Sequence, residues 1–330
     1  MSERTIRWGI VGAGIIAHKM ADAIRLEQGC ELVAVASRTP EKAETFAREY
    51  GIAAETYPSL VARSDVDVIY IATTHNFHAS NAAFCLEHGK HVVIEKPFTV
   101  NAEEARRLQH LARANQCFMM EAIWTRFLPS MVKLRESLQG GAIGEVKMAT
   151  INFGGVAPEH YRGRLLDPTL AGGVTLDMGI YPISMLCYVL GEVPQVTSAT
   201  CRFSDTGVDE VASYQLSFPS GCLAAVNTSF NLLMPHLASF YGDQGYLEYP
   251  HFQNLGDFTL RHLEGSAVTG EEIVHTENAE NGFVYQAREA ARCIREGLQE
   301  SPIIPVQETV NIMGVLDDIR KKLPLRYGFE

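Results

Sequence analysis

The stretch Gly9-Ile-Val-Gly12-Ala-Gly14-Ile-Ile-Ala17 restricts the fold of this chain more than any other. An apolar run over residues 6–11 predicts a strand, and it enters a glycine-rich turn directly. The segment 15–27 then predicts a helix. Gly12-x-Gly14-x-x-Ala17 has the spacing of a dinucleotide-binding turn with alanine in the third place. The first glycine permits the tight turn, and the second lets backbone approach a pyrophosphate. The small third residue lets the helix pack on the strand, and the helix N-terminus faces the phosphates. Such a turn is a weak signal alone. Here it opens the first strand-turn-helix unit, so Gly12, Gly14, Ile15 and Ile16 are candidate cofactor contacts.

The alternation continues. Strands are expected at 31–37, 55–57, 67–73, 92–94 and 118–121, with helices at 40–50, 76–88 and 102–115. Strands this apolar, separated by helices, predict an α/β doubly wound parallel sheet of Rossmann type. After residue 124 the pattern changes. A helix over 127–138 is followed by strands at 145–153, 196–203, 211–218, 222–230, 238–241, 246–249 and 258–263, several separated by tight turns. Helices close the chain at 284–296 and 308–322. That half predicts an α+β domain with a large, mostly antiparallel sheet. The expected domains are 1–123 for the dinucleotide and 124–330 for substrate binding and oligomerisation.

Composition removes other classes. Apolar residues make up 46% and charged residues 20%, as in ordinary globular chains. The net charge of −11 comes without a dense Lys/Arg block, which argues against nucleic acid or an anionic membrane as partner. No segment approaches about 18 consecutive apolar residues, so no bilayer span is expected. Residues 8–17 are largely apolar, but their glycine spacing suits strand and turn. Lys19 and Asp22 follow without a signal-cleavage site. The seven cysteines are scattered singly, which suggests reduced thiols and a cytoplasmic protein.

The end of the second strand bears on the cofactor. A fold preferring NAD places an acid about 20 residues past the glycines, on the ribose hydroxyl. This chain has Ser37 and Arg38 there, and no acid until Glu41. A hydroxyl and a guanidinium suit a 2′-phosphate, so NADP is favoured with NAD possible. Thr39 and Lys42 are possible helpers; the competing reading is a solvated loop arginine. The fourth strand ends in "ATTHNFH", which supplies Thr73, Thr74, Asn76 and His78 at the sheet's ligand edge. His78 either contacts cofactor or braces the following helix. His75, His78 and His88 lack a Cys or carboxylate framework, so no metal is expected. The fifth strand ends in Glu95-Lys96-Pro97. Pro97 biases Lys96 toward an extended conformation, carrying the lysine out at the same edge. Glu95 either touches cofactor or braces its neighbour.

Gly12-x-Gly14-x-x-Ala17, Glu95-Lys96-Pro97 and "GGVTLDMGIY" (172–181) together resemble the glucose-fructose oxidoreductase, inositol dehydrogenase and MocA-type family, over nearly the whole chain. "MEAIWTRFLPSM" (120–131) and "LDMGIYPI" (176–183) are most similar to its dimeric dihydrodiol dehydrogenase branch. The resemblance implies that Lys96 is catalytic beside the nicotinamide. It also implies that the second domain carries an open-faced sheet used for oligomerisation, with a dimer the first choice.

Asp177 and Tyr181 share a face if the backbone is helical, and Pro182 places them in an opening or kinked turn. Many family members carry His where this chain has Tyr181. Moving a hydride to or from a carbinol carbon requires a group that moves the hydroxyl proton. A free tyrosine, with pKa about 10, is a poor base at neutral pH, and the Lys96 ammonium nearby would favour tyrosinate. Asp177 would orient the lysine or the substrate. The competing reading makes Tyr181 a core aromatic packed with Leu176 and Met185. Trp124, Arg126 and Phe153 are candidate substrate contacts with Tyr181, though Trp124 also fits an interdomain core. Residues 159–162 form a polar loop, a candidate lid.

The expected activity is an NAD(P)-dependent oxidoreductase acting on CH–OH or CH–CH groups of a polyol, sugar, cyclitol or trans-dihydrodiol. Two alternatives stand beside it: a catalytically silent NAD(P)-sensing regulator, and a redox-assisted glycosidase.

Overall fold

The computed structural model describes residues 4–253, 256–277 and 279–330. The chain forms two compact units, Met1–Trp124 with Asn281–Val310, and Thr125–Glu280 with Asn311–Glu330.

The first unit runs β1 (Ile6–Val11), α1 (Ile15–Leu26), β2 (Cys30–Ala36), α2 (Pro40–Tyr50), β3 (Ala53–Glu55), α3 (Tyr57–Ala62), β4 (Val68–Ile71), α4 (His78–Glu87), β5 (His91–Glu95), α5 (Ala102–Ala114) and β6 (Met119–Ala122). Its six strands are all parallel, in the order β3-β2-β1-β4-β5-β6. Val-Ile-Tyr-Ile of β4 is buried throughout, as a strand covered by helices on both faces must be. The strand order reverses beside β1, the place where doubly wound sheets bind ligands. Register sharpens this. Val11 lies beside both Ala36 and Ile71, and Ile71 beside Ile94. Gly12, Ser37 and Ala72 therefore leave the sheet at one level, beside Glu95, the last residue of β5.

Helix α3 replaces the tail of the strand expected at 55–57. Thr56 Oγ1 accepts from the Ser59 N–H at 3.2 Å, while Ser59 Oγ accepts from the Thr56 N–H at 2.9 Å. That reciprocal cap, with Pro58 in the first turn, starts a helix where the apolar pattern was too short to show one.

The second unit contains α6 (Pro129–Gln139), β7 (Val146–Gly154), α7 (Glu159–Leu165), a π-helical turn (Thr175–Gly179), α8 (Ile180–Leu190) and seven further strands. These are β8 (Gln195–Phe203), β9 (Asp209–Ser217), β10 (Leu223–Ser229), β11 (Leu237–Gly242), β12 (Gly245–Pro250), β13 (Phe258–Glu264) and β14 (Ala267–Val274). The sheet order is β14-β13-β12-β11-β7-β10-β9-β8, antiparallel except for the parallel pair β7 and β10. Alternate residues of β9 and β10 are buried, among them Ala212, Tyr214, Leu216, Ala224 and Val226. On the other face Leu223, Met148 and Tyr241 are exposed, and pairing places them side by side on β10, β7 and β11. Strand β14 was not expected from the sequence: it is a mostly exposed edge paired, among the described residues, to β13 alone.

Helix α8 is buried from Pro182 to Val189. The helical stretch Pro168–Leu190 is long and apolar enough to cross a membrane, yet most of its apolar part is buried inside the protein, as suits a core helix. The chain then returns to the first unit as α9 (Phe283–Arg295), which packs against α1, before α10 (Val306–Lys322). This corrects the single cut expected at 123/124. Residues 281–310 belong with the nucleotide-type unit, because the apolar face of α9 covers α1 and β1. Arg288 on its rim pairs with Glu27 at 2.8 Å. Sequence periodicity reports that a helix has an apolar face, and only the fold decides what meets it.

Candidate active site

The functional side chains form one constellation in each unit. In the first, Gly12 has φ +105, and a Cβ there would lie 2.6 Å from the Ala72 carbonyl oxygen. Only glycine fits where the turn crosses the end of β4. Gly14 differs: no heavy atom lies within 4 Å of where its Cβ would be, so its backbone stands open. Helix α1 begins there without a side-chain cap and without an acid in its first turn. Its first N–H groups are oriented to receive an anion. Ile15 is 54% exposed at the helix start, an apolar surface beside that cradle, and Ile16 is half-buried. The residues present fit a dinucleotide pyrophosphate.

At the end of β2, Ser37 Oγ accepts from the Thr39 N–H at 3.2 Å. Arg38 is exposed, its guanidinium 5.1 Å from the centre of the Phe77 ring, and no acid stands beside it on this loop. Thr39 and Lys42 are exposed. Beyond β4, Thr74 donates to Asn76 Oδ1 at 2.8 Å and Asn81 donates to Thr73 Oγ1 at 3.2 Å, so these polar side chains order their own loop.

His78 is fully buried, with Nδ1 2.8 Å from the Pro97 carbonyl and Nε2 3.1 Å from the Thr73 carbonyl. It ties the end of β4 to the turn after β5 and presents neither ring nitrogen to a ligand. The structure thus makes it a brace rather than a cofactor contact. Burial, helped by the charges of His75 and Lys96, pushes its imidazole down to about 3 against the pull of the two carbonyls. Glu95 is buried too: it accepts from the Tyr70 hydroxyl, and from the Lys96 N–H at 3.2 Å. It steadies the strand end from which Lys96 emerges, and the Lys96–Pro97 peptide is cis.

In the second unit, Asp177 lies in the π-helical turn and Tyr181 opens α8. Pro182 has no N–H to give, and the chain meets that loss with a wider turn ahead of the helix. Tyr181 is half-buried, while the eight residues after it in α8 are buried. Its ring meets Phe153 edge-on at 5.8 Å. Phe153 is itself 4% exposed and packs against His236 at 4.9 Å and Phe252 at 5.3 Å. Phe153 is therefore a backing ring, and the accessible rings beside it are Tyr181 and His236.

Two of the expected substrate contacts, Arg126 and Trp124, have packing partners of their own. Arg126 is 2% exposed, donates to the Ser184 carbonyl at 3.1 Å and hydroxyl at 2.9 Å, and lies 4.5 Å from the Tyr188 ring centre. These bonds tie its side chain to α8. Trp124 is half-buried and packs on Phe283 of α9 at 5.4 Å, within the first unit. The loop expected at 159–162 is the short helix α7, which delivers Arg164 to Asp177 at 3.1 Å. Sequence reasoning passed over Arg164 and His236; a lone Arg and a lone His without a partner at fixed spacing carry no signal.

Residues 6–123 match the family profile described as "Oxidoreductase family, NAD-binding Rossmann fold", and residues 131–248 match the "GFO/IDH/MocA C-terminal domain". With the cradle at Gly12 and Gly14, they define an NAD(P)-dependent oxidoreductase acting on CH–OH groups. The chain is 35% identical to trans-1,2-dihydrobenzene-1,2-diol dehydrogenase of Mus musculus over 98% of each chain, and 32% identical to that of Homo sapiens, again over 98% of each. It belongs to the GFO/IDH/MocA oxidoreductase family. The crystal structure of KijD10, a 3-ketoreductase from Actinomadura kijaniata, in complex with TDP-benzene and NADP (open conformation), is 25% identical with TM-score 0.84, covering 97% of this chain and 98% of that one. The aldose-aldose oxidoreductase from Caulobacter crescentus shares the fold at TM-score 0.87 and 23% identity, with the same coverage.

Proposed function

We propose that this protein prefers NADP and acts on a secondary alcohol, or the matching carbonyl, of a sugar, cyclitol or trans-dihydrodiol. The observation that carries the reading is the accessibility of Tyr181 at the head of a helix buried from Pro182 to Val189, one wide turn after Asp177. A core aromatic would be buried like its successors; a phenol left half-open beside a carboxylate suits proton transfer.

The nicotinamide, when bound, supplies the acceptor or donor of a hydride. The backbone at Gly12 and Gly14 and the start of α1 hold the pyrophosphate. Ser37 and Arg38 hold a 2′-phosphate, which a guanidinium favours and an acid would repel. The Tyr181 oxygen takes the proton of the substrate hydroxyl in oxidation and returns it in reduction. Lys96 is the second catalytic group of this reading, and Asp177 orients. The Tyr181 and His236 rings offer an aromatic surface to the apolar face of a cyclic substrate.

The names of the mouse and human relatives support a dihydrodiol, and that of the 3-ketoreductase supports a ketone as the matching carbonyl. The exposed row of Met148, Leu223 and Tyr241 supports a homodimer formed through the open sheet face. Seven cysteines outside any disulfide suit the cytoplasm, and the net charge of −11 suits small-molecule substrates rather than nucleic acid or membrane.

The test is turnover on a panel of sugars, cyclitols, diols and dicarbonyls, followed by nicotinamide absorbance. Lys96→Ala and Tyr181→Phe should each lower kcat by about 100-fold or more on the best substrate. Near-wild-type rates in both would sink the mechanism. Cofactor binding without turnover across the panel would replace it with a sensing role.

A further inference from the structure

Beneath the turn that carries Asp177 lies a polar network the proposed chemistry does not use. Asp209, the first residue of β9, is fully buried. Its Oδ2 accepts from the Thr175 N–H at 2.8 Å and also from the Thr175 hydroxyl. Thr175 Oγ1 lies 2.8 Å from the Tyr214 hydroxyl, which lies 3.2 Å from Thr228 Oγ1. The other carboxyl oxygen of Asp209 faces Gly173. That glycine has φ +124, and a Cβ on it would come within 2.2 Å of Oδ1. The Gly173 carbonyl in turn accepts from the Asp177 N–H at 3.2 Å. Tyr327 secures the same strap from the other side, donating to the Gly172 carbonyl at 2.6 Å. Tyr214 also floors the far end of the turn, because a Cβ on Gly179 would meet its hydroxyl at 3.2 Å.

We propose that Asp209 is a positioning residue for the Asp177–Tyr181 face, fixing the Gly173 and Thr175 backbone from which the π-helical turn starts. This rests on the reading of Asp177 and Tyr181 as functional groups. Three independent features converge on it. Gly173 leaves room for the carboxyl group only because it lacks a side chain. Both hydrogens that Thr175 can donate go to one carboxyl oxygen. The next hydrogen bond along the backbone ends on Asp177 itself. Stability alone does not account for a carboxyl group here, since burial pushes it toward the protonated form and apolar packing often holds a core as well. An apolar side chain would not direct the Thr175 N–H. A carboxyl group does, and so selects one starting geometry for the wide turn.

The experiment compares Asp209→Ala, Asp209→Asn and Thr175→Val with wild type in the full-length chain. Asparagine keeps an acceptor for the Thr175 donors; alanine removes it; Thr175→Val removes one donor and leaves the N–H bond in place. The expected result is a kcat loss of about 30-fold or more in Asp209→Ala, with the NADPH dissociation constant within about twofold of wild type. Thr175→Val should lose about threefold to tenfold. Asp209→Asn should return kcat to within about fivefold of wild type, a rescue that general loosening would not show. Hydrogen exchange gives a readout independent of turnover: amides 173–181 should exchange at least about tenfold faster in Asp209→Ala, with β1 and α1 unchanged. Folded Asp209→Ala and Thr175→Val proteins with wild-type kcat and unchanged exchange overturn the proposal. So does Asp209→Asn as impaired as Asp209→Ala, since the acceptor would then not be what matters. If wild type turns over no substrate, the functional reading fails while the exchange arm still decides whether Asp209 sets the turn.

Discussion

Arg164 Nη2 lies 3.1 Å from Asp177 Oδ1, so the short helix α7 delivers a cation to the carboxylate of the π-helical turn. The arginine is 33% exposed and the aspartate 13%, which leaves the pair partly screened by water. Breaking it should therefore alter Asp177 more than the fold. Arg164→Ala should lower stability by less than about 1 kcal/mol in urea unfolding. The same change should lower kcat/KM by about tenfold, or about 1.4 kcal/mol in the barrier. Arg164→Lys should recover only part, because it keeps the charge without the planar fork. Unchanged kcat/KM in Arg164→Ala would show that Asp177 needs no such partner.

Gly12 and Gly14 separate folding from binding within one turn. Gly12→Ala places a methyl group 2.6 Å from the Ala72 carbonyl at positive φ, and should cost about 1–3 kcal/mol of stability. Gly14→Ala meets nothing in the protein, at φ −94, so its Tm should stay close to wild type. Its NADPH affinity should fall about tenfold or more, since the methyl occupies the phosphate cradle. Calorimetry and fluorescence titration on both variants check the contrast.

Arg38 should decide between the two nicotinamide cofactors. Arg38→Ala should raise the NADPH dissociation constant about tenfold to 100-fold and leave NADH within about threefold, because only NADPH carries the 2′-phosphate. Equal loss for both cofactors would assign Arg38 to the shared part of the nucleotide. Tighter NADH than NADPH binding in wild type would overturn the NADP preference itself.

His78 should make the protein acid-sensitive. Its folded-state pKa is pushed to about 3 from 6.5, so between those values the unfolded chain binds the proton that the folded chain refuses. The contribution is complete above pH 6.5 and is lost as pH falls toward 3, at up to about 1.4 kcal/mol per pH unit. In His78→Gln the slope of stability against pH should be shallower by that amount over the same window. Urea unfolding at pH 5 and pH 7 measures it; parallel slopes in the two proteins would contradict the burial argument.

The nucleotide-type sheet was legible because its signals are local. β-branched runs such as Val68–Ile71, glycines at fixed spacing, and a Pro after Lys96 each limit backbone geometry within a few residues. The strands of the second unit were readable from alternation and turn residues, except exposed β14, which buries too little to leave a pattern. Helices α3 and α7 escaped because seven residues or fewer cannot show periodicity.

By itself the sequence determined the order of the longer helices and the buried strands, the phosphate turn, and which residues were available for chemistry at each strand end. Only the tertiary structure decided what each of those residues does. It sent Arg126 into the core against Ser184 and gave both nitrogens of His78 to backbone carbonyls. It brought Arg164 to Asp177 across 13 residues, and Asp209 to Thr175 across 34. The physical reason is the same in each case. Backbone geometry is set by neighbours along the chain, whereas a polar side chain's role is set by whatever partner burial leaves within about 3 Å of it.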